Sequence, residues 1–206
     1  SFCAGADLTW MRAQFEATPD ARAREATKLA RMLQTFNTLP KPVIGRVQGN
    51  AFGGGLGLLS VCDVAVATQE VQMAFTETRL GLIPATIGPY VCARMGEAKA
   101  RQVFMSARRF DAREAVRLGL VTFAVPGSEL DQAVEAEVAP YLDCAPGAVA
   151  RSKALLRHLG PVIDETVIAA SVDALISAWG SAEAQEGIGA FFDKRSPSWG
   201  QGGQNL

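Results

Sequence analysis

The run of residues 41–77 constrains the fold of this chain more than any other, because strand, turn and helix signals alternate there over a short distance. It opens with the sequence PVIGRV, whose β-branched residues predict a short buried strand. Turn residues follow, then three adjacent glycines at positions 53–55 and an apolar segment, residues 56–61, that predicts a helix. Two further strands are predicted over residues 64–67 and 73–75. The run therefore predicts an α/β domain with glycines at a strand-to-helix junction.

These glycines occupy a position that suits the binding of negative charge. At the start of a helix the backbone N–H groups lack intrahelical partners, and the helix dipole has its positive end there. Glycine runs also allow tight turns and close packing, because glycine adopts positive φ at no steric cost. By itself the pattern leaves a functional and a purely structural interpretation open.

The composition supports a single folded domain and argues against two kinds of partner. With 206 residues, of which 49% are apolar, the chain can bury a sizeable core. The formal net charge is −1 and basic residues are interspersed with acidic ones, so no nucleic-acid partner is expected. No apolar run is long enough to cross a bilayer and no signal segment is visible, so no membrane partner is expected either.

The cysteines and the single histidine argue against metal binding and histidine-based catalysis. Cys3, Cys62, Cys92 and Cys144 lie far apart without a CxxC pair, which predicts small buried thiols in a reducing compartment and hence a cytoplasmic protein. His158 lies near the predicted end of a helix and is interpreted as a C-terminal helix residue. We therefore expect neither a Ser-His-Asp triad nor a metal site.

The rest of the chain divides into an α/β part and a helical part. Two helical pieces between residues 8 and 36 are predicted to meet at a polar joint, residues 18–20. Asp111 and Glu114 have the spacing of a capping box, which predicts a helix that Gly119 ends. After a strand predicted at residues 120–125 the β signals disappear. Other helices are predicted over residues 87–94, 97–106, 130–142, 147–159, 163–179 and 182–192.

Three separated motifs resemble those of the enoyl-CoA hydratase/isomerase superfamily, the crotonases. They are FCAGADL at residues 2–8, GGG at 53–55 with CD at 62–63, and FTE at 75–77 leading into LGLIP. The resemblance extends to about residue 199 and implies an α/β fold, a crotonase-like ββα spiral core. This core would comprise residues 1–143, without the strands and helix that begin the family core, and residues 144–206 would form a C-terminal helical oligomerisation region.

The resemblance implies a site that stabilises the enolate of a CoA thioester. The N–H groups of Ala6 and Gly54 would bind the thioester oxygen, as two backbone donors can do without the reorganisation that water requires. Ala4, Gly53 and Ala85 would contact the substrate. CoA is then part of the substrate, and no separate cofactor or metal is implied.

One of the two glutamates that hydratases of this superfamily use for acid–base catalysis is missing. Glu77, in the sequence FTETRLG, matches the second of these positions, whereas Gly57 occupies the first. We expect Glu77 to act alone as the acid/base, or to recruit another group. In a site with apolar walls its pKa should be raised, which suits acid–base work near neutrality.

Within the superfamily the chain most resembles bacterial methylglutaconyl-CoA and isohexenylglutaconyl-CoA hydratases. This resemblance rests on Gly57 and on the sequences LIPATIGPYV at residues 82–91 and DLTWM at 7–11. It implies hydration of a branched 2-enoyl-CoA thioester. Arg12 or Arg79 could bind the distal carboxylate of such a substrate. The simpler interpretation of each is an arginine that is solvated at the surface. Two alternatives stay open: a Δ3,Δ2-enoyl-CoA isomerase with one glutamate, and an acyl-CoA- or RNA-binding protein with little catalysis.

The C-terminal sequence AFFDKR, residues 190–195, resembles the crotonase tail. In the family an aromatic residue and a lysine of this tail reach the CoA of a neighbouring subunit, and Phe191 and Lys194 occupy those positions. A capped helix end with a nearby positive charge would explain the same sequence. The resemblance implies a homotrimer or homohexamer, and the tail after Trp199 is predicted to be disordered.

Overall fold

The structure, a computed structural model, describes residues 1–200 of the chain, so the tail beyond Gly200 lies outside the described residues. Its helices are α1 (Leu8–Glu16), α2 (Pro19–Thr38), α3 (Gly54–Ser60), α4 (Gly88–Met95), α5 (Glu97–Ala100), α6 (Ala112–Leu118), α7 (Leu130–Leu142), α8 (Pro146–Leu159), α9 (Glu165–Trp179) and α10 (Ala182–Phe192). Its strands are β1 (Ile44–Val47), β2 (Ala51–Phe52), β3 (Val64–Thr68), β4 (Gln72–Ala74), β5 (Phe110–Asp111) and β6 (Phe123–Val125). Residues Glu77–Leu80 form a 3₁₀ turn.

The strands form two small sheets, which confirms the predicted α/β class. β1, β3 and β6 pair in parallel in that order, with Ile44 opposite Val64 and Val66 opposite Phe123. In the second sheet β4 lies between β2, to which it is parallel, and β5, to which it is antiparallel. β3 is almost wholly buried, as its apolar sequence VAVAT predicts for a central parallel strand.

The helices begin where the sequence places capping residues. The Asp7 carboxylate accepts from the Trp10 N–H at 2.9 Å and so starts α1, and Thr18 caps α2 ahead of a proline in its first turn. Asp111 accepts from the Glu114 N–H at 2.8 Å and starts α6. The predicted capping box is nevertheless only half formed, because the Glu114 carboxylate binds the Arg108 guanidinium at 2.7 Å.

The apolar side chains form a main core between the sheets and helices and a second cluster around the C-terminal helices. The main core includes Leu33 of α2, Leu56 of α3 and Ile87, which immediately precedes α4. The second cluster joins Met11 of α1, the turn residues Leu80 and Leu82, Trp179 of α9, and Ala184 and Ile188 of α10. The C-terminal helices α9 and α10 therefore pack against the core of their own chain. The predicted boundary near residue 143 falls between α7 and α8, and the functional division between the two regions stays a prediction.

Two features are absent from the described residues. No helix within residues 1–200 is long and apolar enough to cross a membrane. The same residues contain no group of three or more His, Cys, Asp or Glu side chains placed to hold a metal ion.

Candidate active site

A cavity of about 400 Å³ brings most of the predicted site residues together. It lies between the N-terminal loop, the start of α3, the 3₁₀ turn, the loop before α4, and parts of α2, α9 and α10. The predicted residues that line it are Ala4, Ala6, Gly53, Gly54, Glu77, Ala85 and Phe191. Most of the remaining wall is apolar, including Leu58, Leu82, Ile87 and Trp179.

Each position of the triplet, residues 53–55, relates to the lack of a side chain in a different way. Gly53 has a φ of +52° at the start of α3, which a side-chain-bearing residue rarely adopts, and its Cβ would lie 3.2 Å from Glu77 Oε1. Gly54 would meet no atom within 4 Å, so this position is open toward the cavity. A Cβ on Gly55 would lie 2.8 Å from Cys3 Cβ, so this glycine lets α3 pack on the N-terminal loop.

The two predicted oxyanion donors lie on neighbouring segments. The Phe52 N–H donates to the Cys3 carbonyl at 2.9 Å, and this contact aligns the loop that contains Ala6 with the junction that contains Gly54. Within residues 1–200 neither the Ala6 N–H nor the Gly54 N–H donates to a protein acceptor. Both line the cavity. That these two N–H groups bind a negatively charged oxygen stays a prediction.

Glu77 is the only carboxylate among the residues that line this cavity. It is the first residue of the 3₁₀ turn, and its Oε2 is buried without a hydrogen-bond partner in the described part of the chain. Burial disfavours the charged form and raises the pKa of Glu77 from its usual 4.5 to about 7, although the N–H groups of Glu77 and Thr76 partly oppose this. A carboxyl group with this pKa can both accept and donate a proton near neutrality.

A larger cavity, of about 940 Å³, lies beneath α8 and contains none of the predicted site residues. Three of its charged groups already have structural partners: Lys153 donates to Asp63 at 2.6 Å, and Arg94 donates to the Cys62 carbonyl at 2.7 Å. Arg157 also lines this cavity, and its Nε is buried without a hydrogen-bond partner in the described residues. The unpartnered carboxyl group and the backbone donors lie only in the smaller cavity, so we assign the chemistry there.

The fold and the family agree with this geometry. A family model described as enoyl-CoA hydratase/isomerase matches residues 1–203. The chain belongs to the enoyl-CoA hydratase/isomerase family. It is similar to the crystal structure of an enoyl-CoA hydratase from Shewanella pealeana, with 40% identity, a TM-score of 0.74, and coverage of 95% of this chain and 74% of that one. An enoyl-CoA hydratase structure from Mycobacterium avium superimposes with a TM-score of 0.82 at 30% identity, covering 97% and 75%.

Among curated proteins, the chain is 32% identical over 206 residues to a methylglutaconyl-CoA hydratase of Rattus norvegicus, covering 96% of this chain and 64% of the relative. The predicted crotonase-like fold is thereby confirmed, and the chain is an enzyme of the hydro-lyase type.

This family member differs from a two-glutamate hydratase in a way that the structure explains. A Cβ on Gly57 would lie 2.9 Å from Ile87 Cβ and would overlap Ile87 Cγ2, and Leu33 Cδ1 would be 3.5 Å away. Ile87 is 2% exposed, so it cannot move into solvent to make room. The space into which a glutamate at position 57 would extend is therefore occupied by an apolar side chain. Gly57 does not line the cavity.

One of the two C-terminal residues predicted to contact CoA lines the cavity. It is Phe191, in helix α10, which packs against the 3₁₀ turn that begins with Glu77. Its contact with the CoA of a neighbouring subunit stays a prediction. Lys194 does not line the cavity, so its role toward CoA stays a prediction. Arg12 also lies outside the cavity, with its guanidinium 4.7 Å from the centre of the Phe192 ring.

Several lining residues were not found by sequence reasoning. Thr86 is a buried hydroxyl residue next to Ile87, and Arg109 lies with its guanidinium 5.7 Å from the centre of the Phe52 ring. Trp179 closes the cavity from α9. Thr86 lies within the sequence LIPATIGPYV, but nothing in that sequence indicates that its side chain faces the site. Arg109 and Trp179 reach the cavity only through tertiary packing. Arg79, which was predicted as a possible carboxylate-binding residue, does line the cavity.

Proposed function

We propose that this enzyme hydrates a branched 2-enoyl-CoA thioester of the methylglutaconyl type, with Glu77 as the single acid/base. The observation that carries the proposal is the buried, unpartnered Oε2 of Glu77 in a cavity that also contains the free N–H groups of Ala6 and Gly54. A carboxyl group beside two backbone donors suits a reaction in which a proton moves while charge develops on a thioester oxygen.

In the proposed reaction one carboxyl group handles both protons. Glu77 removes a proton from water, whose oxygen attacks C3, and the electron pair of the double bond moves to form the enolate. The N–H groups of Ala6 and Gly54 stabilise the enolate oxygen. Glu77 then donates the proton to C2, and the product is a 3-hydroxyacyl-CoA. The pKa of about 7 supports this assignment, because the same group must act first as a base and then as an acid.

The choice of substrate rests on the cations in the cavity wall and on one relative. Arg79 and Arg109 line the cavity and, within residues 1–200, neither forms a salt bridge. A guanidinium can bind a carboxylate with two hydrogen bonds, so these residues suit an acyl group that ends in a carboxylate. The similarity to a protein named methylglutaconyl-CoA hydratase supports the same substrate class.

The test compares two esters in water enriched in ¹⁸O, followed by mass spectrometry of the products. We expect 3-methylglutaconyl-CoA to gain the label rapidly and crotonyl-CoA slowly, because crotonyl-CoA has no distal carboxylate. Arg79→Gln should raise KM for the glutaconyl ester and leave KM for crotonyl-CoA unchanged. Equal rates for the two esters in the wild-type enzyme would contradict the proposed specificity.

A second candidate function, Δ3,Δ2-enoyl-CoA isomerisation, is favoured by the contact between Ile87 and Gly57. An isomerase only moves a proton from C2 to C4, for which one carboxyl group and a dry apolar wall suffice. It would convert 3-hexenoyl-CoA without ¹⁸O uptake. If glutaconyl esters gain no label while 3-hexenoyl-CoA is converted, the isomerase replaces the hydratase.

Glu77→Gln tests the acid/base role that both functions share. The substitution keeps the shape of the side chain but removes its ability to exchange a proton, so kcat should fall by roughly 10²–10⁴-fold. CoA-ester binding, measured by calorimetry, should be retained. Turnover close to that of the wild type would remove Glu77 from the mechanism and would favour the third alternative, a binding protein.

The proposed partners are an acyl-CoA substrate and further copies of the chain, in a homotrimer or homohexamer, in the cytoplasm. Support for an oligomer comes from α8, which contains no buried residue and exposes Leu155, Leu156 and Leu159.

A further inference from the structure

Helix α10 packs directly, backbone against backbone, on the turn that begins with Glu77. A Cβ on Gly187 of α10 would lie 2.5 Å from the Leu80 carbonyl carbon and 2.6 Å from its oxygen. From the other side, a Cβ on Gly81 would lie 2.6 Å from the Ala184 nitrogen and would overlap the Glu183 carbonyl. Real Cβ atoms do not approach other atoms so closely, so a side chain at either position would push the helix and the turn apart.

The Glu77 carboxyl group is held mainly through this turn. The N–H groups that favour its charged form, those of Thr76 and Glu77, belong to the turn itself or directly precede it, and Oε2 has no hydrogen-bond partner in the described residues. The Glu77 carbonyl accepts from the Leu82 N–H at 3.1 Å, and Gly81, with a φ of +67°, closes the turn. No side chain from another element anchors the carboxyl group, so it moves when the turn moves.

From these contacts we propose that Gly187 is a positioning residue for Glu77. Because Gly187 lets α10 pack closely on the 3₁₀ turn, the helix fixes the acid/base carboxyl group in the cavity. The same helix places Ile188 in the cluster with Leu80 and Leu82, and Phe191 in the cavity wall. The packing of α10 on the turn therefore both closes one side of the cavity and positions the carboxyl group. The catalytic part of this inference rests on the proposed role of Glu77.

The test compares Gly187→Ala with Gly189→Ala, a matched control two residues away on the same helix. A Cβ on Gly189 would have no neighbour closer than the Arg195 guanidinium nitrogen, at 3.9 Å, so it adds the same methyl group without pushing on the turn. Gly187→Ala should lower kcat by about 10²-fold, the loss that follows from a misplacement of about 1 Å. Gly189→Ala should retain wild-type kcat. Equal kcat in Gly187→Ala and Gly189→Ala would overturn the proposal.

A second measurement does not depend on activity. Infrared titration of the protonated carboxyl band, assigned by its absence in Glu77→Gln, reports the pKa of Glu77 in the wild-type enzyme and the variants. Displacement of the turn admits water, so Gly187→Ala should lower this pKa toward the usual value, and Gly189→Ala should not. If the wild-type enzyme converts no enoyl-CoA but the band shifts as expected, the proposed function fails and the positioning role stands.

Two further variants separate positioning from a general loss of stability. Ile188→Ala keeps Gly187 but removes packing between α10 and the turn, so it should lower the pKa and kcat even if Gly187→Ala does not fold. Ile168→Ala removes a buried side chain from the separate cluster between α2 and α9, so it should lower the melting temperature without changing the pKa of Glu77. A shift of the band in Ile168→Ala equal to that in Ile188→Ala would overturn the proposal.

Discussion

At the scale of single residues, the enzyme keeps a carboxyl group in an environment that opposes its charge. No cation is hydrogen-bonded to Glu77, and Oε2 has no partner within the described residues. Such a group costs stability whenever it is ionised, and the cost is tolerated where a proton must be both taken and returned. The burial that raises the pKa of Glu77 therefore predicts a pH dependence of folding.

The sign of this dependence follows from proton binding. The pKa of Glu77 is about 7 in the folded chain and 4.5 when the group is in water, so the folded state binds more protons between these values. The free energy of unfolding should therefore fall as the pH rises through this window, by about 3 kcal/mol in total. Glu77→Gln cannot ionise, so its stability relative to the wild-type enzyme should increase by this amount from acidic to alkaline pH.

Urea unfolding of both proteins at several pH values checks this prediction. The comparison cancels the contributions of other groups, such as Glu114, whose pKa the hydrogen-bonded Arg108 lowers to about 2. A constant difference in the free energy of unfolding across the range would show that Glu77 is not buried in the way described.

Sequence motifs assigned Glu77, Ala6 and Gly54 to one site, because these residues occur in short segments of fixed order. All three line one cavity, and their catalytic roles stay predictions. The contact between Gly57 and Ile87 could not be predicted, because it joins two elements that are far apart in sequence. The same limit applies to Gly187 and Leu80, since a small residue in a helix does not reveal which backbone it approaches.

At the scale of elements, α3 and the segment that leads into α4 pack so tightly that they determine what position 57 can hold. A glutamate introduced there alone should not restore a two-carboxylate site, because its Cβ would overlap Ile87. We expect Gly57→Glu to destabilise the fold by about 1–3 kcal/mol through overpacking, with little effect on crotonyl-CoA hydration beyond that loss.

The double variant Gly57→Glu, Ile87→Gly supplies the missing space. It should hydrate crotonyl-CoA faster than Gly57→Glu alone, since a second carboxyl group could then hold the attacking water. Ile87→Gly alone is the matched control for the enlarged cavity. If this control hydrates crotonyl-CoA as fast as the double variant, space for water, and not a second carboxylate, is what the wild-type site lacks.

The bounds of the elements were predicted best for the helices in the C-terminal part of the chain. The helices α7 and α10 have the predicted bounds, and α9 differs by two residues at its start. The predicted helix over residues 97–106 is wrong beyond Ala100, where the chain continues as turns. The strand predicted from residue 120 begins only at Phe123, because Leu120 and Val121 are buried as part of the turn after α6. Burial alone does not distinguish a strand from a buried turn.

At the scale of the whole molecule, the chain brings its proposed acid/base, its predicted oxyanion donors and the aromatic residue of its tail together in one cavity. Deletion of α10 would therefore remove part of the active site and uncover Leu80, Leu82 and Trp179. Such a deletion cannot test oligomerisation separately from catalysis. The exposed face of α8 offers a cleaner test, because it lies away from the residues that line the cavity.

Leu156 and Leu159 of α8 are 70% and 72% exposed, and Val162 just beyond the helix is 66% exposed, so this face has no apolar partner within the described part of the chain. We expect the wild-type enzyme to elute as a trimer or hexamer in size-exclusion chromatography, and Leu156→Lys, Leu159→Lys to elute as a monomer, because paired lysines prevent apolar burial. Met105→Lys, at a position that is 62% exposed elsewhere, is the control and should keep the wild-type elution volume.

Activity of the resulting monomer then separates the two roles proposed for the tail. Glu77 and Phe191 share a cavity within one chain, so kcat per chain should be unchanged in the monomer. Lys194 does not line that cavity. If it binds the CoA phosphate of a neighbouring subunit, as the resemblance implies, this contact should be lost on dissociation. KM should then rise about fivefold, as expected for one exposed charge contact of about 1 kcal/mol, and Lys194→Ala should raise KM equally in the intact oligomer. A monomer with wild-type KM would show that Lys194 serves no neighbouring site, and a monomer without activity would show that the cavity needs a second chain.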